Sequence, residues 1–246
     1  MSDRIFGADC SHWDGTVEWN LWDHQFRFVF IKVSEASPGS GWSVVYDHLA
    51  GQHWLGAGQE GLYRGPYHFW RYRGGSPSVQ AKHFYDSWVK ACAEFGCPAK
   101  LELPPVVDFE DMSAPKFSAD VKYQFRSFLD EVERLFKVKP IVYTAYWYTS
   151  AWIGDCSWML PYVMWLAQYT YNPNGAPTLY PKGITTWTFW QYSDKAEIAG
   201  VAENDECVDA FNGNLEQLEA LLVTKPGLTL EEKVAILWLA HPELHT

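Results

Sequence analysis

Leu101-Glu102-Leu103-Pro104-Pro105-Val106-Val107-Asp108-Phe109-Glu110-Asp111 is the stretch on which the fold turns. A prolyl entry, two β-branched residues and then acids read as a short buried strand running out into carboxylates at its carboxyl end. Side chains alternate faces along a strand, so Asp108 and Glu110 point one way and Phe109 the other, with the two acidic Cα atoms about 6.6 Å apart. Two carboxyls in one site perturb each other's pKa and can divide into a proton donor and an anion. Glycoside hydrolysis asks that division of a pair of acids.

The same pattern recurs on either side. Residues 5–11 form a short apolar strand with Asp9 near its carboxyl end, followed by the turn His12-Trp13-Asp14-Gly15. Residues 26–33 and 61–69 read as the next two strands, with residues 34–37, including Glu35, opening a loop. Helical spacing spans 42–57, with Val45, Leu49 and Trp54 as its buried stripe, and 78–95, with Val79, His83, Trp88 and Cys92 on one side. Residues 118–136 are amphipathic, with Val121, Phe125, Phe128, Leu129, Val132 and Phe136 at helical intervals. Strands follow at 139–145, 162–169, 186–192 and 208–211, the last three with little or no helix between them. Strand and helix alternating, then strands on short connections, predict a parallel α/β barrel that loses its outer helices late. Residues 215–223 read as a closing helix, Pro226-Gly227 breaks the chain, and Thr229 to Glu232 forms a capping-box pattern ahead of Val234, Leu237 and Trp238. The expected organisation is a barrel over 1–223 and a docked helical tail over 224–246.

At 246 residues the chain has the length of one such barrel. Hydrophobic residues at 48% exclude a disordered chain, and 14 each of Trp, Tyr and Phe supply flat rings of the kind that cover sugar faces. A formal net charge of −11 and the lack of any run of basic residues exclude nucleic acid as the expected partner. No apolar run approaches the length of a membrane span, so no membrane insertion is expected. The first residues show no apolar signal core, and five irregularly spaced cysteines read as reduced, which together predict synthesis in a cytoplasm.

Read in register, Gly7-Ala8-Asp9-Cys10-Ser11-His12-Trp13-Asp14-Gly15 with Val17-Glu18-Trp19, Pro105 to Glu110, Trp187-Thr188-Phe189-Trp190-Gln191-Tyr192 and Val208-Asp209-Ala210-Phe211-Asn212 resemble the glycoside hydrolase family 25 lysozymes, over roughly residues 5–220. The resemblance implies an irregular TIM-like barrel of eight strands and about five helices, (β/α)5(β)3. It implies cleavage of the β-1,4 bond between N-acetylmuramic acid and N-acetylglucosamine in peptidoglycan, with no cofactor and no metal. The matching acids are Asp9, Asp108, Glu110 and Asp209, with Glu110 as proton donor. Tyr67, Phe69, Tyr143, Trp165 and Gln191 match positions along the sugar cleft. Cys10 and Ala8 depart from the family's usual residues without touching the carboxylates. The setting implied is a phage or prophage endolysin acting on the wall after release at lysis. By placement in the barrel, all four acids fall at strand carboxyl ends, where parallel barrels keep their active sites. Asp111 reads as a solvated bystander.

Two rival readings remain at this level. A catalytically dead barrel that holds wall glycans would keep the aromatics and lose the acid pair, and both acids are present. A metal-dependent hydrolase would recruit Asp9, Asp108, Asp209 and His12 or His68, yet neither of these two histidines falls in a His-x-His or His-x-x-x-His pair.

Overall fold

The computed structural model describes residues 4–22, 26–37, 44–201 and 206–223. Its strands are Ile5–Cys10 (β1), Phe26–Ala36 (β2), Val44–Tyr46 (β3), Tyr63–Phe69 (β4), Val106–Asp108 (β5), Ile141–Ala145 (β6), Val163–Ala167 (β7), Phe189–Ala196 (β8) and Glu206–Phe211 (β9). The helices are Ala50–Gln59 (α1), Pro77–Glu94 (α2), Ala119–Phe136 (α3), the single turn Tyr146–Tyr148 (α4) and Leu215–Glu219 (α5). Strand order is β1-β9-β8-β7-β6-β5-β4-β2, and a β1–β2 pairing closes the ring into eight strands, with β3 attached to the outer end of β2 as a hairpin. The barrel is parallel except for β9, which runs antiparallel to both β8 and β1. The sequence predicted parallel strands here. A short connection cannot carry the chain back for a parallel crossover, so the strand after β8 has to reverse.

Aromatic residues fill the interior. Phe28 and Phe30 of β2 meet Phe189, Phe211 and Trp165 across the ring, and all five are buried. Each inward Phe of β2 faces a glycine on the adjacent strand: Gly7 pairs with Phe28 and Gly65 with Phe30. A Cβ at either glycine would lie 2.6 Å and 2.8 Å from those rings, closer than packed carbons allow. Val29, Ile31 and Val33 point outward into a second apolar layer under the helices.

The helix α3 matches its predicted stripe at all six positions, starts on a Ser118 cap that accepts from Val121 N, and ends at Lys137 in the left-handed region (φ 62°). Two other helical expectations need correction. Val44-Val45-Tyr46 forms β3, as β-branched residues favour, so α1 begins only at Ala50; Val45 is exposed and Trp42 lies outside the described residues. On α2 the buried face is Gln80, Ala81, Phe84, Ser87, Trp88, Ala91 and Cys92, and Val79 is exposed. The face is rotated because α2 packs between α1 and α3, where small and polar side chains make the close contacts that an apolar count overlooks. The closing helix is α5, capped reciprocally by Asn214 and Gln217, with Leu218 and Leu222 plugging the lower end of the barrel. The tail expected over 224–246 lies outside the described residues.

Phe109 stacks on Phe125 of α3 with centroids 3.8 Å apart and rings at 19°, which ties the acid strand to the helix behind it. Phe125→Ala should therefore lower unfolding free energy by about 3–5 kcal/mol, read from denaturant midpoints at constant m-value.

Candidate active site

A cleft of about 380 Å³ opens at the carboxyl ends of the parallel strands. Asp9 reaches it from the end of β1, Tyr67 and Phe69 from β4, and Asp108 and Glu110 from β5 and the residues just beyond it. Strand alternation holds as the sequence implied, for both acids face the cleft while Phe109 between them is fully buried on the other side. The β5 strand is only three residues long, so its neighbours fix it: Asp108 pairs with Phe69 and with Tyr143, Trp70 N donates to the Asp108 carbonyl at 3.1 Å, and Phe109 N donates to the Tyr143 carbonyl at 2.9 Å.

Each carboxyl has different company. Gln191 Nε2 donates to Asp9 Oδ2 at 2.7 Å, while Tyr143 OH and Tyr169 OH both donate to Gln191 Oε1, at 2.8 and 3.1 Å. Asp209 is wholly buried and accepts from Trp165 Nε1 at 2.7 Å. Asp108 Oδ1 is buried with no donor among the described residues. Burial pushes Glu110 up to about 7 against the opposing pull of Arg71 and Lys32. Burial likewise raises Asp9 to about 7 against its Gln191 hydrogen bond, with Asp14 and Glu110 adding like charge. Asp108 is raised by burial and then by Glu110, and Asp209 by burial and then by Asp9. Crowded carboxyls in a half-dry site keep protons near neutral pH.

Of the nine candidate residues, eight line this cleft. Asp209 does not: it is in mid-strand on β9, paired with Gly7 and Gln191, a layer beneath Asp9. The expectation that it ends a parallel strand is corrected by the reversal of β9. Trp165, Tyr143 and Gln191 are nearly inaccessible and form the floor, and Tyr67 and Phe69 are partly open on the wall. Asp111, read as a solvated bystander, is fully buried and accepts from Tyr72 N, Ser113 N and Ser113 Oγ at 2.9, 3.0 and 2.7 Å, so it caps the loops after β4 and β5. Sequence reasoning passed over Lys32, Arg71, Trp13 and Tyr169, all of which line the cleft, and gave Glu35 to a loop. Lys32 and Glu35 are three apart and would face opposite sides of a regular strand; a register break between Lys32 and Ser34 turns both inward, where Lys32 Nζ bonds Glu35 Oε2 at 2.6 Å. His68 is buried on the outer side of β4, bonded to Ser34 Oγ at 2.8 Å and stacked on Phe84, and His12 is bonded to Asp47 at 2.8 Å. Among the described residues no group of three or more His, Cys, Asp or Glu side chains is placed to hold a metal ion.

A sequence profile described as glycosyl hydrolases family 25 matches residues 8–201. Lysozyme M1 of Streptomyces globisporus is 28% identical over 227 residues, covering 88% of this chain and 71% of that protein. The bacterial lysozyme of Streptomyces coelicolor superposes with a TM-score of 0.72 at 26% identity, over 88% of this chain and 96% of the other. A family 25 lysozyme from Aspergillus fumigatus gives 0.69 at 26% identity, over 89% and 98%.

The raised acids carry a pH signature. Their folded pKa values exceed those of the unfolded chain, so the contribution of these acids to unfolding free energy should decline as pH rises from about 4 to about 7, while buried His68, held down to about 3, contributes in the opposite sense. Chemical denaturation of the wild type and of Glu110→Gln across that range tests this; a stability difference between them that does not change with pH would contradict it. Turnover that needs protonated Glu110 should fall on the basic side with an apparent pKa of about 7.

Proposed function

The chain belongs to glycosyl hydrolase family 25, and from that membership and the acid cleft we infer that it is a peptidoglycan muramidase, a lysozyme that hydrolyses the β-1,4 bond after N-acetylmuramic acid in the bacterial wall. We assign the chemistry to the barrel over 1–223 and treat 224–246 as a tail outside it. Glu110 is assigned as the acid that protonates the leaving glycosidic oxygen, which its raised pKa suits.

Asp108 decides the mechanism. It is two residues before the donor, at the end of β5, instead of across the sugar, an awkward place for a nucleophile. The observation that carries our reading is that Asp108 lines the cleft with its Oδ1 lacking any donor among the described residues, whereas Asp9 accepts from Gln191, and Asp209, whose Oδ2 is also unpaired, accepts from Trp165 and does not line the cleft. An unpartnered carboxylate beside the proton donor fits a substrate-assisted route. The substrate's 2-acetamido oxygen attacks the anomeric carbon as the glycosidic bond breaks, and the leaving oxygen takes the Glu110 proton. Asp108 accepts the acetamide N–H and offsets the positive charge that develops. Water, deprotonated by Glu110, then opens the cyclic intermediate with net retention. Asp9 is held by Gln191, whose donor occupies the oxygen a base would use, which makes it a poor base for direct attack by water. Tyr67 and Phe69 are assigned to the wall that the glycan lies along, and Tyr143, Trp165 and Gln191 to the floor beneath it.

Glu110→Gln should cost about 100-fold or more in turnover with the fold intact. Asp108→Asn should also lose most activity, and glycan with de-N-acetylated muramic acid should resist cleavage. NMR should report the retained anomer as first product and a reducing muramic acid end. A covalent glycosyl adduct on Asp108, or the inverted anomer, would overturn this assignment.

A further inference from the structure

Arg71 enters the cleft from the loop after β4 with its main chain fixed and its side chain poorly satisfied. Buried Gln80 pins the backbone on both sides, donating to the Arg71 carbonyl at 2.8 Å and accepting from Arg71 N at 3.3 Å. The guanidinium lies over the Phe69 ring, Cζ 4.2 Å from its centroid, in reach of a cation–π interaction. Its nearest carboxylates are Asp111 at 3.5 Å and Glu35 at 3.9 Å, both longer than a good charge-assisted hydrogen bond. Nε is buried and unpaired, and among the described residues the side chain donates no hydrogen bond. Lys32, almost wholly buried, adds a second cation on the same wall, 5.8 Å from the Phe69 centroid. A planar fork of five donors left this free in a cleft otherwise lined by acids calls for an anion from outside.

We propose that Arg71, backed by Lys32, is the carboxylate-recognition residue of this enzyme and binds an anionic group carried on the C3 substituent of muramic acid. The proposal rests on the muramidase reading above. With the C2 acetamide held by Asp108, the C3 substituent leaves from the neighbouring ring carbon and must turn toward one flank of β5. The β6 side holds Tyr143, whose hydroxyl is engaged with Gln191, and contributes no cation to the cleft lining. The β4 side holds Phe69, paired in register with Asp108, and the two cations. A carboxylate finds no cation on the first flank and two on the second. It displaces the distant Glu35 as the partner of Arg71 and takes a two-point contact with the fork.

Two sources carry that carboxylate: the lactyl group itself where the stem peptide is absent, or an acidic residue of an attached stem peptide. The experiment compares kcat/KM for two substrate pairs, denuded glycan strands against their lactyl methyl esters, and peptide-bearing strands with peptide carboxylates free against amidated. Wild-type enzyme should prefer the free acid in one pair by about tenfold or more. The pair that shows the preference identifies the source. Arg71→Met should abolish the preference whatever it does to absolute rate, and Arg71→Lys should keep part of it. Equal cleavage of acid and neutral forms by the wild type overturns the assignment without any variant, and so does a preference that survives Arg71→Met. Wild-type enzyme that releases no reducing muramic acid from any of the four substrates overturns the muramidase reading and this proposal together.

Discussion

Like charges held close together in a place with little water are the constraint on which this site depends. Two unit charges 4 Å apart repel by about 4 kcal/mol at the effective dielectric of a protein surface, and four carboxyls meet here around the mouth of a barrel whose interior is packed with rings. Three devices offset the repulsion. Burial favours the protonated form of all four acids, which shifts each of them upward. Neutral donors serve two of them, Gln191 on Asp9 and Trp165 on Asp209. Cations serve the other two, since Lys32 and Arg71 oppose the upward shifts of both Asp108 and Glu110. The division sorts the acids: those with hydrogen-bond donors are held as scaffold, and those left to cations stay free to meet a substrate.

Placing the second pair on a three-residue strand demands anchoring from outside it. At the entry, Glu102 forms a two-point pair with Arg64, at 2.5 and 2.9 Å, and Arg64 in turn donates to the Trp54 carbonyl and lies over the Trp54 ring. At the exit, Phe109 packs against Phe125, its carbonyl accepts from Thr144 Oγ1, and Asp111 caps the loop beyond. The acids are thus fixed by elements on three sides, and precision at the cleft is gained from packing behind it.

What the sequence disclosed follows from which signals are local. The period of two along Val106 to Glu110 placed both acids on one face, and the helical period over 118–136 found every buried residue of α3, because each is decided by neighbours in the chain. The reversal of β9 was not visible, since strand direction is set by what the strand pairs with; Asp209 was therefore placed one layer too high. The face of α2 was misread because Ala81, Gln80 and Ser87 are buried by two flanking helices that the sequence of α2 does not contain. Asp111 reads as a surface acid in the sequence because its partners, Tyr72 N and the Arg71 guanidinium, are about forty residues upstream.

The least legible feature is also the one that sets the charge of the cleft. One extra residue in β2 breaks the register after Lys32 and brings Glu35 to the face it would otherwise avoid. Without that break Lys32 would stand as an unpaired buried cation; with it, the lysine has a partner at 2.6 Å and costs far less to keep out of water. Glu35 then balances Lys32 and leaves Arg71 with long contacts only, 3.5 Å to Asp111 and 3.9 Å to Glu35. Glu35, brought in by the bulge, is engaged at short range by Lys32 and reaches Arg71 only at 3.9 Å, so the guanidinium keeps donors for the carboxylate proposed above.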